Sequence, residues 1–252
     1  MKDELKEFER RQIAVRNPHD KKVLQAMVDA TPARIAVGRE GPRPPVEAWL
    51  AFRWDEAVAK DAVFGMVSDE YLKKCKIPVR VTTQCVDKRD YLGHPEKGGV
   101  FTDDSVKILQ EKCVAHPQVQ IVVTEGLSFL AVEDNVHVLL PALIDGLKAE
   151  KIKVGTSVFA DYGRVRLLND IGRVLSPDVA IVLIGERPGL VTQTSLSAYL
   201  AYKPKAGDTD AERNCISNIY KKGLSPLEAA PVVVDMVKRM LDQKVSGVPL
   251  KL

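Results

Sequence analysis

No stretch of this sequence stays apolar for the roughly 20 residues that a membrane-spanning helix needs, and the start, Met1-Lys-Asp-Glu-Leu-Lys-Glu, is too charged for a secretory signal. The protein is therefore expected to stay inside the cell. Long blocks of one charge are also missing: 37 basic and 34 acidic residues are interspersed, for a formal net charge of +3, which points away from nucleic acid as a partner. The short pairs Arg10-Arg11, Lys73-Lys74 and Lys221-Lys222 read as solvated faces. Cysteine is sparse, and Cys75, Cys85, Cys113 and Cys215 are widely spaced without CxxC, so neither a disulfide framework nor a structural zinc site is indicated. His19, His94, His116 and His137 do not cluster and show no HExxH spacing. GxSxG, the P-loop and GxGxxG are absent too, so no nucleophile elbow or nucleotide cradle is announced.

What is present suits a globular chain. Over 252 residues, 45% are hydrophobic and 28% charged, enough for one substantial core or two modest ones. Residues 1–75 read as an N-terminal helical segment, with helices over Asp3 to Arg11, Asp20 to Asp29 and Val46 towards Val67. Between the last two lies Gly38-Arg-Glu-Gly41-Pro-Arg-Pro-Pro45, where prolines remove amide donors and restrict their predecessors, so an ordered loop or bend is expected.

From about Ile77 the grammar changes, and residues 76–252 read as a second domain. Short β-branched runs (Val119 to Thr124, Val154 to Ala160, Asp178 to Ile184) alternate with helical periods ending near Lys148 and spanning Leu167 to Leu175. The run to Ile184 is too continuously apolar for a strand with one wet face. The economical solution is an α/β fold: a doubly wound, mostly parallel Rossmann/flavodoxin-like sheet preceded by the helical segment. The last helix has Ser225 as N-cap, Pro226 at the first position and Glu228 completing a capping box; Leu227, Ala230, Val234, Val237 and Leu241 make one stripe for the sheet. Pro231 removes a backbone bond there, so a kink or a delayed start is expected.

Three segments could carry a ligand. Gly185-Glu-Arg-Pro-Gly-Leu190 follows a buried strand, where the loops of open α/β sheets converge on ligands; the plain alternative is a tight turn with Glu186 and Arg187 in water. Asp161-Tyr-Gly-Arg-Val165 and Glu212-Arg-Asn-Cys-Ile-Ser-Asn218 also mix donors and acceptors with small apolar residues, as suits a large amide-fringed ligand with an apolar face. Nothing beside Cys215 in sequence would lower its pKa, so it reads as a packing residue and not a nucleophile.

In order and spacing, Tyr162-Gly-Arg-Val165, Gly185-Glu-Arg-Pro-Gly-Leu190 and Cys215-Ile-Ser-Asn218 resemble the small subunit family of ethanolamine ammonia-lyase. Thr31-Pro-Ala-Arg-Ile35, Gly38-Arg39, Gly41-Pro-Arg-Pro44 and the closing segment Glu228-Ala-Ala230 through Lys238 to Lys244 extend the resemblance over nearly the whole chain. The resemblance implies an enzyme subunit that needs a large TIM-barrel chain for activity. The complex would convert ethanolamine to acetaldehyde and ammonia by a radical mechanism with adenosylcobalamin, with the large subunit binding ethanolamine and the small one covering the corrin. It carries over Val165, Glu186 and Cys215 as cofactor-binding residues, with no catalytic residue and no metal ligand from this chain. DxHxxG is absent, so the family's cobalamin is expected base-on, its own dimethylbenzimidazole keeping the lower axial position. The helices and Pro-rich loop of residues 1–75 are the expected large-subunit contact, and the location is cytoplasmic, with enclosure in a bacterial microcompartment left open.

Three departures from the enteric members stand out. Val191-Thr-Gln-Thr-Ser-Leu196 replaces Gly-Gln-Ser-Glu-Ser-Leu, and the segment before Cys215 is one residue shorter, which raises the expectation of a differently seated cofactor. Pro231 stands where they have alanine, and their N-terminal extension is missing. The competing readings are a stand-alone flavodoxin-like ligand-binding module and a purely structural interaction protein.

Overall fold

The computed structural model describes residues 13–31 and 33–251. The helix expected over Asp3 to Arg11 lies outside them. By contacts the chain divides into two compact units, one of residues up to Asp61 together with Gly189–Thr192, the other of Ala62–Pro188 and Gln193 onward.

In the smaller unit, α1 spans Lys21–Asp29, started by the Asp20 carboxylate, which accepts from the amides of Lys22 (2.9 Å) and Val23 (3.0 Å). The breaker-rich stretch is an ordered turn. Gly38 and Gly41 take positive φ, and the Glu40 amide donates to the Arg43 carbonyl at 2.8 Å. The Pro45 carbonyl then accepts from the Trp49 amide at 3.0 Å as α2, Val46–Phe64, begins. An ion pair between Arg34 and the fully buried Asp55 of α2 holds the unit, and the same guanidinium donates to the Leu190 carbonyl at 2.9 Å.

The larger unit is built on six strands: β1 (Val79–Thr82), β2 (Val119–Thr124), β3 (Val158–Asp161), β4 (Val179–Gly185), β5 (Leu196–Tyr202) and β6 (Asn214–Ile219). Their order is β1-β3-β2-β4-β5-β6; the first four are parallel, and β5 and β6 each run antiparallel to the preceding strand. This is the expected α/β class. The expected strand from Val154 is shorter than read, since Val154 makes only an isolated bridge to Val119. The antiparallel pair β5–β6 was not foreseen; Glu212 to Asn218, read as a rim segment, is largely strand β6.

Helices cover both faces. Here α3 is Asp69–Lys74, α4 Lys88–Gly93, α5 Asp103–Lys112, α6 Phe129–Ala149, α7 Leu167–Leu175 and α8 Pro226–Gln243. On one face, α6 and α8 bury Val136, Leu139, Leu143, Val233 and Val237 against Ile121, Ile181, Leu183, Ala198 and Ile216. On the other, Leu109 of α5 and Leu167, Leu168 and Ile171 of α7 pack on Val81, Val122, Ala160, Val182 and Ile184. Because β2 and β4 are covered on both sides, every residue of each is buried, which explains their unbroken apolar character. Among the described residues, no helix is long and apolar enough to cross a membrane.

The capping box of Ser225 and Glu228 is present at the start of α8, and Pro226 opens the helix. The helix does not start late: Pro231 lies inside it, and the Ala229 amide already donates to the Ser225 carbonyl at 2.8 Å. The sacrificed backbone bond is outweighed by burial of Ala229, Ala230, Val233, Met236, Val237 and Met240. The buried stripe is rotated from the expected one, leaving Leu227 65% exposed.

Candidate functional site

Strand parity decides which residues meet at the sheet's carboxyl edge. On β4, Val182 and Ile184 face the α7 side, and Glu186 follows in the same phase. Register pairs Ile184 with Ser197, Val182 with Tyr199, and Tyr199 with Cys215, so Ser197, Tyr199 and Cys215 share that face. Tyr199 and Val165 both pack on its core, and Val165 precedes α7, where its carbonyl accepts from the Leu168 amide at 3.1 Å. The structure thus brings Val165, Glu186 and Cys215 onto one face of the sheet. While α7 covers β4 there, Cys215 and Ser217 of β6 are exposed, so β6 forms an open shelf beside the rim.

Glu186 is not a carboxylate in water. Its amide donates to the Ser195 carbonyl at 3.0 Å, closing the loop. Its carboxylate accepts from the Ser195 hydroxyl at 2.8 Å, from the Ser197 hydroxyl, and from the Asn218 amide at 3.1 Å. Asn218 sits in the left-handed region, φ 57°, which asparagine tolerates and which aims its N–H inward. Three donors on a group with about four acceptor positions leave one position, on Oε2, for an outside donor. Arg187 is exposed.

Partial desolvation of its sulfur by the surrounding strands raises the pKa of Cys215, an exposed residue, and Glu186 adds to this, while Tyr199 and Ser197 hydrogen bonds oppose it. Burial, with Cys215 and Glu186 beside it, pushes the Tyr199 phenol up to about 12. Both groups are neutral at physiological pH. Together they make a polarizable, uncharged floor next to a charged acceptor.

The loop after β3 is pinned from beneath. The Tyr162 amide donates to Glu125 at 2.8 Å, the Gly163 amide to the Thr124 hydroxyl at 2.9 Å, and the Arg164 amide to the Gly98 carbonyl at 2.8 Å. Arg164 lies 3.9 Å from the Tyr91 ring centroid and donates to the Tyr91 carbonyl at 2.8 Å. Glu125 is buried just after β2, 3.6 Å from the ammonium of Lys88, also buried, which donates to the Gly126 carbonyl at 2.9 Å. Burial raises the Glu125 pKa and lowers that of Lys88, each partner's charge opposing the other's shift.

Sequence reasoning missed Ser195, Ser197, Tyr199, Lys88 and Glu125. For the first three, the missing information was the pairing of β5 with β4. For Glu125, the available signal was a carboxylate and a glycine directly after the apolar run Val119 to Thr124.

Fold and rim define a doubly wound α/β protein with a polar, one-sided shelf beside the carboxyl edge of its sheet. A family model, "Ethanolamine ammonia-lyase light chain (EutC)", matches residues 21–251. The chain is also 44% identical over 243 residues to a Clostridium perfringens protein described as "Ethanolamine ammonia-lyase small subunit", covering 96% of this chain and 82% of that protein. The chain belongs to the ethanolamine ammonia-lyase light chain family.

Proposed function

We propose that this chain is the small subunit of an adenosylcobalamin-dependent ethanolamine ammonia-lyase, covering the corrin where it meets a large catalytic subunit. The observation that carries the cofactor part is the set of side chains gathered at the rim beside β6: one carboxylate with an acceptor position left, neutral Tyr199 and Cys215, exposed Ser217, and apolar Val165. That set suits a flat apolar macrocycle fringed with amides. Glu186 would accept from an amide N–H of the fringe, Val165 would touch the ring's apolar surface, and Cys215 would pack against it without reacting. When bound, the cofactor supplies the radical chemistry of deamination; this chain supplies position and shelter from water. The substrate would be held by the large subunit.

The smaller unit is the proposed contact with that subunit. Val46, Trp49, Leu50, Phe52 and Trp54 of α2 are all at least 44% exposed, a concentration of aromatic surface that resembles an interface core. We assign the assembly to the cytoplasm.

Co-purification with the large subunit, followed by a visible absorption spectrum with added cobalamin and an ethanolamine deamination assay, tests the reading. Expected are a stable complex, a bound-cobalamin spectrum and activity only with both chains; a verified large partner that gains nothing from this chain refutes it. The base-on expectation is checked on the same complex, because nitrogen coupling from labelled protein histidine in paramagnetic resonance would contradict it.

A further inference from the structure

The buried pair of Lys88 and Glu125 has no part in the proposed contacts, yet its location singles it out. Of the neighbouring parallel strands β2 and β3, β2 leads into α6 on one face and β3 into α7 on the other, which makes their carboxyl ends a topological switch point. Glu125 sits at that point. Its carboxylate takes the Tyr162 amide and so fixes the loop that carries Val165. The backbone that follows it packs on the neighbouring loop: the Leu127 amide donates to the Gly185 carbonyl at 3.0 Å, and a side chain on Gly185 would run into the carbonyls of Ser128 and Glu125. Lys88, the first residue of α4, balances the charge and lies 4.7 Å from the Tyr91 ring centroid and 5.7 Å from that of Tyr162. A buried ion pair is seldom worth more to stability than a well-packed apolar pair, so stability alone does not account for it.

We propose that Glu125, neutralised by Lys88, is a positioning residue that sets the spacing between the Val165 loop and Glu186, and thereby the fit of the cofactor. This rests on the cofactor reading above.

The test compares complexes of the large subunit with wild-type, Glu125→Gln and Lys88→Met/Glu125→Gln small chains, titrated with hydroxocobalamin. Thermal midpoint and the visible circular dichroism of the bound cofactor are recorded for each. Glu125→Gln leaves Lys88 buried without a counter-charge, and it should bind at least about tenfold more weakly. The double variant restores charge balance and should recover the wild-type thermal midpoint but neither the affinity nor the dichroism. If Glu125→Gln does not fold, the double variant decides. A folded variant with wild-type affinity and spectrum overturns the proposal while leaving the cofactor reading intact. A wild-type complex that does not bind hydroxocobalamin overturns both.

Discussion

At the scale of single residues, Glu186 carries most of the proposed binding chemistry, because its carboxylate is held by three donors beside the exposed residues Cys215 and Ser217 of β6. A hydrogen bond to a charged acceptor contributes about 1.5–3 kcal/mol, so Glu186→Ala should weaken cobalamin binding by roughly 10- to 100-fold while assembly with the large subunit persists; equilibrium titration of the complex measures this. Cys215 makes a separate test. Its pKa is raised, chiefly because the strands around its sulfur keep water from part of it, so at neutral pH it should alkylate slowly with iodoacetamide although the residue is exposed, and the rate should climb only as pH passes above the ordinary thiol range. Peptide mass spectrometry reads the labelling. Val165, Glu186 and Cys215 could be picked from motif order, yet their shared face could not, because it depends on the register of β5 against β4 and β6. Glu125 was illegible for a related reason: a carboxylate after a strand reads as a surface group until the strand is known to be central.

At the scale of elements, β2, β4, α7 and the start of α8 were legible because each carries a local signal: continuous apolar character, helical period or a capping box. The hairpin of β5 and β6 lacks one, since Ser, Ala and Tyr alternate there without a strong pattern. Its geometry bears on the shorter segment before Cys215. Tyr202 pairs with Val179 and the Lys203 amide donates to the Asp178 carbonyl at 2.8 Å, so the connection over 203–213 departs from the amino edge, while Leu196 pairs with Gly185 at the rim. Cys215 is placed by its pairing with Tyr199, and a one-residue change in that connection need not move it. The capping box of α8 gives a pH prediction. Hydrogen bonds from Ser225 hold the Glu228 pKa below the usual carboxylate value. A depressed folded pKa contributes stability that is present above the unfolded value and lost as pH falls through the folded one. Wild type should therefore melt above Glu228→Gln at neutral pH, and the difference should close in acid; thermal midpoints against pH show it.

On the scale of the whole molecule, the chain separates its two proposed tasks between two compact units. The larger holds the sheet and the polar shelf, and the smaller displays the aromatic side chains of α2. Trp49→Ala should weaken co-purification with the large subunit while the isolated chain keeps its circular dichroism, because the side chain is 51% exposed and little of the fold rests on it. Both tryptophans of the protein, Trp49 and Trp54, belong to the smaller unit. Light absorbed by indole at the red edge of the protein spectrum therefore reports on that unit alone, and its emission would reveal docking or local melting there without any label, against a larger unit that is dark at the same wavelength.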